Sequence, residues 1–336
     1  MIGSRSRISS FLYGIFTIAA AIAVLLVARS VRMTFPSPWN DEARFYLPSW
    51  NFAHSGSLSP DILNAPQGIY WVPDGFYVWL GTLLALFGPS IYVAQLICEI
   101  SVAISISIFA RAFLKITEST VMAAIFSLIL ISPPVIFAAN MVRMEALLCL
   151  LFATMVWLHA SRSYLGAASL LLLSILVHPA FTFAFIAYVA ALGATGNYWT
   201  DISQHPWKTL AERILFLFVL LALFAEVARI TRHSHLFQQH MSYQVARKLS
   251  INRSKVFRTP QAFMFYLETI TTFAALKILK PRIPALQRRL ILPLIAATLG
   301  MQAYAFLAAE TAYDVYSLSI GPSLWLCLVY RITTLS

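Results

Sequence analysis

Ten apolar stretches, each near the length of a membrane crossing, run along this chain at about 8–28, 91–113, 119–138, 145–160, 164–178, 179–194, 212–229, 262–279, 290–309 and 316–332. A helix that crosses a bilayer needs about 20 consecutive apolar residues. It must also satisfy its backbone internally, because hydrocarbon offers no hydrogen-bond partners. The sequence therefore predicts an all-α fold: a polytopic membrane bundle of about ten transmembrane helices, with residues 1–336 forming a single domain. Composition closes off the soluble alternative. Hydrophobic residues make up 60% of the chain and charged residues 11%, whereas a soluble domain carries about 25% charged residues.

The net charge of +11 does not point to nucleic acid. Lys and Arg sit in short segments between apolar stretches, where they orient spans and meet anionic lipid head groups. Cys98, Cys149 and Cys327 all lie inside apolar stretches and read as small buried hydrophobes, with no disulfide or zinc pattern. Arg5 and Arg7 precede an apolar run from Ile8 to about Val27. That run exceeds the core of a signal peptide, about 7–15 residues, and is expected to remain as the first span.

Basic residues set the orientation. With the N-terminus cytoplasmic, Arg111 and Lys115, Arg162, Lys208 and Arg213, the cluster Lys277–Arg289, and Arg331 all fall on the cytoplasmic side, as does the C-terminus. The stretches 164–178 and 179–194 are short. They read as two spans, or as one helix kinked at Pro179. Counting two leaves a strongly basic loop, 229–260, on the outer side. A long first outer loop, 29–90, includes the apolar segment 72–88, expected to lie along the interface with Trp71, Tyr77 and Trp79 at head-group depth.

Carboxylates are scarce, and Asp41, Glu42, Asp61, Asp74, Glu145, Glu310 and Asp314 all fall on the outer side of this scheme. Asp61 and Asp74 read as solvated loop residues. Asp41 and Glu42 are different: they open a short amphipathic helix just after the first span, with Asn40 or Asp41 able to cap it. Adjacent carboxylates diverge on a helix, so one suits a base and the other a metal or substrate contact. Arg143 and Glu145 stand where the third span gives way to the fourth, on the same predicted face. Glu99 and Glu268 lie within spans and are expected to face the bundle interior with a partner. The His233, His235 and His240 spacing is too weak to predict a metal, and no metal site is assigned.

Taken in order, these pieces resemble the GT-C superfamily of membrane glycosyltransferases, in the branch of protein O-mannosyltransferases and lipid A aminoarabinose transferases. The resemblance rests on Asp41-Glu42-Ala43 with Phe45-Tyr46, then Leu86-Phe87-Gly88-Pro89-Ser90. Arg143-Met144-Glu145-Ala146-Leu147 is similar to an Arg-Pro-Asp-Ala-Leu element. His178-Pro179 and the late stretch Tyr313–Pro322 complete it. Gln95 stands where that family usually has Arg, Glu145 replaces a commoner Asp, and a large C-terminal soluble domain is lacking.

The resemblance implies a transferase that takes a sugar from a polyprenyl-phosphate donor and passes it to an acceptor glycan, lipid or protein on the non-cytoplasmic face. Asp41 would be the general base, with Glu42 assisting or binding a metal, although no divalent cation is predicted. Arg143 and the loop cations Arg247, Lys248, Arg253, Lys255 and Arg258 would hold the carrier phosphate. Glu145, His178, Tyr313, Asp314 and Tyr316 would line the substrate pocket. The partners expected are the donor and membrane lipids, and no nucleic acid. A transporter or flippase of a lipid-linked or anionic solute is the alternative, and would be expected to carry repeats and broken helices with polar residues at mid-bilayer. An inactive scaffold of the same fold is a further alternative.

Overall fold

A computed structural model describes residues 2–34, 40–58, 73–195, 206–239, 242, 263, 266–272, 274, 285–308 and 316–334. Within these, side chains are described except for 2–10, 12, 32–34, 40, 41, 206–208, 285–287, 304–308, 316 and 317. Among the described residues all regular structure is helical and no strand occurs.

The helices are α1 (Ile2–Thr34), α2 (Asn40–Ser55), α3 (Gly75–Phe87), α4 (Ile91–Thr117), α5 (Thr120–Leu130), α6 (Pro133–Asn140), α7 (Met144–Ala160), α8 (Tyr164–Val177), α9 (Phe181–Ala194), α10 (Pro206–Arg232), α11 (Ala285–Ala308) and α12 (Gly321–Thr334). A π-helical turn, Tyr316–Ile320, leads into α12. Residues 234–239 and 266–272 are also helical.

Among the described residues, three helical segments are long and apolar enough to cross a membrane: Tyr13–Val31, Ile91–Thr117 and Thr209–Arg232. The α5–α6 pair, bent by 61°, makes a fourth if taken as one broken span. The bend has a local cause. Ser132 precedes Pro133-Pro134, which cannot continue the α5 hydrogen-bond ladder but can begin a new helix. Helices α7, α8 and α9 are apolar but only 17, 14 and 14 residues long. At about 1.5 Å per residue each falls short of a hydrocarbon core of about 30 Å. The apolar stretches that fall within the described residues thus appear as helices of unequal reach.

Contacts at the helix ends fix their relative directions. The Lys115 ammonium at the end of α4 donates to Ser161 Oγ after α7 at 2.7 Å and lies over the Trp157 ring. At the other end of these helices, the Tyr46 hydroxyl of α2 donates to the Pro89 carbonyl at 3.0 Å, and Glu42 meets Val142. Helices α4 and α7 therefore run the same way. Helix α1 is antiparallel to α4, with Tyr13 Oη donating to the Ala110 carbonyl and Ser107 Oγ to that of Thr17.

Residues 164–194 form two helices folded back on one another. The Tyr188 hydroxyl of α9 lies 3.4 Å from the Tyr164 carbonyl at the start of α8, a pairing a merely kinked helix could not make. Ser163 at the start of α8 donates to Glu212 near the start of α10, so α8 and α10 are parallel. At the end of α12, the Arg331 guanidinium donates to Glu118 Oε1 at 2.7 Å, in the turn that joins α4 to α5. His159 Nε2 lies 3.0 Å from the Leu290 carbonyl of α11. Two ends emerge from this pairing. One gathers α2, α3, the 141–143 turn and the end of α10. The opposite one gathers Lys115, Glu118, Ser161 and Arg331.

The core lies around α4. Phe109 and Phe113 stack on each other, and Phe152 of α7 meets both Phe109 and Phe181 of α9. Close backbone approaches need glycine. A Cβ on Gly300 of α11 would lie 2.6 Å from the Phe183 carbonyl of α9, and one on Gly75 of α3 would lie 2.5 Å from the Leu176 carbonyl of α8. Helix α10 is peripheral: Ile214, Leu217, Phe218, Leu221 and Phe224 expose one apolar stripe at helical spacing.

Helix α3 corrects one expectation. Tyr77 does not stand at an interface; it is fully buried, with Phe76, Leu80 and Leu84. Gly81 lets the helix press on Ser49 and Phe52 of α2, which is why its aromatic face is covered by protein instead of meeting head groups.

Candidate functional site

The site begins in the first turn of α2, where Asp41 and Glu42, following Asn40, place acidic residues at the positive end of the helix dipole. The backbone of Asp41 lies in that turn; its side chain is outside the described residues. Glu42 is buried, and its Oε1 accepts the Val142 backbone N–H at 2.8 Å. A carboxylate held by an amide across a gap of a hundred residues is a clamp. It ties α2 to the turn 141–143, where the chain is extended between α6 and α7. One of its oxygens is thus engaged, and the group is closed to solvent.

Arg143 immediately follows. Its Nη2 lies 3.0 Å from Glu145 Oε1, and its guanidinium sits over the Phe45 ring, 5.6 Å from the centroid. Phe45 in turn packs edge-on against Phe76 and nearly parallel to Tyr77. One turn of α2 therefore presents Glu42 and Phe45 to the same partner segment. Arg143 is held between a carboxylate and an aromatic face, and both contacts fix a planar cation in place. Three residues singled out by the sequence, Glu42, Arg143 and Glu145, thus meet at one end of the bundle. Phe45 joins them, and its role could have been read from the aromatic spacing that follows the acidic pair.

Asp74 was expected to be a solvated loop carboxylate, and it is not. It sits just before α3, and its Oδ2 lies 3.0 Å from Arg229 Nε at the end of α10. Arg229 also forms a forked pair with Glu226, three residues earlier on the same helix. Burial pushes the Asp74 carboxyl up to about 7, against the pull of Arg229, and the Glu226 charge adds to the rise. The signal in sequence was faint: an Arg three residues after a Glu marks a helical pair, but nothing links it to residue 74. Arg229 opens the basic loop 229–260, so that loop departs from the same end of the bundle as Glu42 and Arg143.

His178 is buried at the end of α8, and its Nδ1 accepts the Ala180 N–H at 3.1 Å. It shapes the turn around Pro179 that folds α9 back along α8. The loop cations Arg247, Lys248, Arg253, Lys255 and Arg258 lie outside the described residues, as do Tyr313, Asp314, Asp61, Glu310 and His240. Tyr316 begins the π-helical turn, and its side chain is not described. Glu99 and Glu268 are both buried among the helices, as their place in the apolar stretches predicted. Among the described residues no group of three or more His, Cys, Asp or Glu is placed to hold a metal ion. Comparison with protein-family models, with curated proteins and with solved structures finds no match.

Proposed function

We propose that this chain is an integral membrane glycosyltransferase of the GT-C kind, moving a sugar from a polyprenyl-phosphate donor to an acceptor at the non-cytoplasmic face. The observation that supports it most is the meeting of the first turn of α2 with Arg143 and Glu145 at one end of a bundle of apolar helices. That end also launches the basic segment after Arg229. A carboxylate beside fixed cations suits a reaction whose leaving group is a lipid phosphate. Such a group departs readily once its charge is met by cations, whereas the attacking hydroxyl needs a base.

In this reading the bundle crosses the bilayer, the termini are cytoplasmic, and the α2 end faces outward. Asp41 takes the proton of the acceptor hydroxyl. Glu42 is a positioning residue, holding the first turn of α2 on the 141–143 turn. Arg143, steadied by Glu145 and Phe45, meets the donor phosphate with the cations of 247–258. The test is transfer from radiolabelled polyprenyl-phosphate sugars in membranes. Asp41→Asn should abolish transfer at normal expression, and unchanged transfer would remove Asp41 from the reaction.

A transporter of a lipid-linked or anionic solute is the second reading. The 61° break between α5 and α6, facing the π-helical turn through a Ser132–Ser319 hydroxyl contact, favours it. Flux into sealed vesicles without formation of a glycosylated product would decide for transport.

A further inference from the structure

Away from the α2 clamp, the bundle holds a second carboxylate that the transfer reaction does not use. Glu268, in the helical stretch 266–272, is wholly inaccessible to solvent. Its Oε2 accepts the side-chain amide of Gln302 on α11 at 2.6 Å. Gln302 is buried as well. Among the described residues, Glu268 Oε1 and Gln302 Oε1 have no hydrogen-bond partner. The described polar groups one turn away on each helix are neutral. One helical turn on from Glu268, Thr272 accepts the indole N–H of Trp325 from α12 at 3.1 Å. One turn before Gln302 on α11, the Thr298 hydroxyl is spent on the Leu294 carbonyl. No cation among the described residues pairs with Glu268.

An isolated carboxylate in such a place is penalised heavily, and a buried acid without a counter-charge takes up a proton instead. An acid and a primary amide side by side are complementary. The amide N–H already reaches one carboxyl oxygen, and a proton on Oε1 supplies the donor that the two remaining acceptors lack.

We propose that Glu268 and Gln302 form a proton-binding site inside the bundle, with Glu268 held as the neutral acid at neutral pH. This rests on the membrane reading but not on the transferase reading, and failure of Asp41→Asn to abolish transfer would leave it standing. Loss of the proton demands water or a cation at Glu268, so ionisation is linked to separation of 266–272 from α11 and α12.

The direct measurement is infrared spectroscopy of the full-length protein in lipid at pH 7, wild type minus Glu268→Gln. A protonated carboxyl C=O band in the wild type, missing from the variant, is the expected result. A carboxylate stretch in its place overturns the proposal. Conversion of the acid band to a carboxylate band on adding Na+ alone would also overturn it, by making the site a metal site. Glu268→Gln copies the neutral acid in shape and charge, and its melting temperature should match the wild type. A second measurement needs no variant. Dicyclohexylcarbodiimide takes the acid proton on one nitrogen while the carboxyl oxygen adds to its central carbon, and the adduct rearranges to a stable N-acylurea that keeps every atom of both reactants. Mass spectrometry should find the adduct on the Glu268 peptide, forming more slowly as pH rises. An adduct rate that rises with pH would contradict a protonated Glu268.

Discussion

Glu42 shows how one side chain joins two distant segments. Its carboxylate closes the amide of Val142, which would otherwise be a buried donor without a partner. Glu42→Ala should lower stability by about 1–3 kcal/mol, the usual cost of such an orphaned group. Transfer activity should fall with it, while Glu42→Gln, which keeps an acceptor oxygen, should recover much of both. Thermal melts in lipid and the membrane transfer assay measure the two effects. Asp74 makes a pH prediction. Its folded value is raised from 3.8 to about 7, so its contribution to stability is complete in acid, below its unfolded value, and is lost as pH rises through about 7. The melting temperature should therefore decline between about pH 4 and about pH 7 and level off above that, and Asp74→Asn should flatten that slope. At the opposite end, Glu118 is mostly exposed where it meets Arg331. Glu118→Ala should change stability by less than about 1 kcal/mol.

Helix contacts carry the next level. The pair α9 and α11 touches backbone to backbone at Gly300, and α3 meets α8 in the same manner at Gly75. Close approach through small residues is the ordinary way apolar helices pack when water supplies no drive between them. Gly300→Ala puts a Cβ 2.6 Å from the Phe183 carbonyl. Backbone cannot yield as a side-chain tip does, so the substitution should cost about 1–3 kcal/mol and separate α9 from α11. Crosslinking yield between cysteines placed on the two helices reads that separation directly. The short helices α7, α8 and α9 depend on such contacts, because none is long enough to cross alone. The α8–α9 hairpin is closed at its far end by Tyr188, His159 and Tyr164, which pack edge to face.

At the scale of the whole molecule, the arrangement has two distinct ends. Glu42, Arg143, Asp74 and Arg229 gather at one, and Lys115, Glu118, Ser161 and Arg331 at the other. If the bundle crosses a bilayer, cysteines at 143 and 118 must be labelled from opposite sides by an impermeant thiol reagent. Labelling of both from one side would dismiss the arrangement of spans, and with it the placing of the transfer site. The apolar stripe of α10 predicts a matching outcome: Phe218→Asp should impair insertion and lower expression, because a charge facing hydrocarbon costs about 2.5–3.5 kcal/mol on insertion scales.

Much of this was legible in the residues alone. Repeated apolar length dictates helices, since no other backbone satisfies its own hydrogen bonds in apolar surroundings. The acidic pair after the first stretch and the Arg143–Glu145 element stood out because charge is scarce here, and the structure brings Glu42 to that element. The roles of Glu42 and Asp74 were not legible. A side chain's partner is set by which helices lie side by side, and nothing local to residue 74 says that α10 ends beside it. The same holds for the turn at His178-Pro179. Its residues permit a kink or a reversal equally, and the choice falls to Tyr188 reaching the start of α8. Chain chemistry determined which segments would be helical and which groups were costly to bury. Tertiary packing decided which of those groups would meet, because contact between distant segments is a property of the assembled bundle.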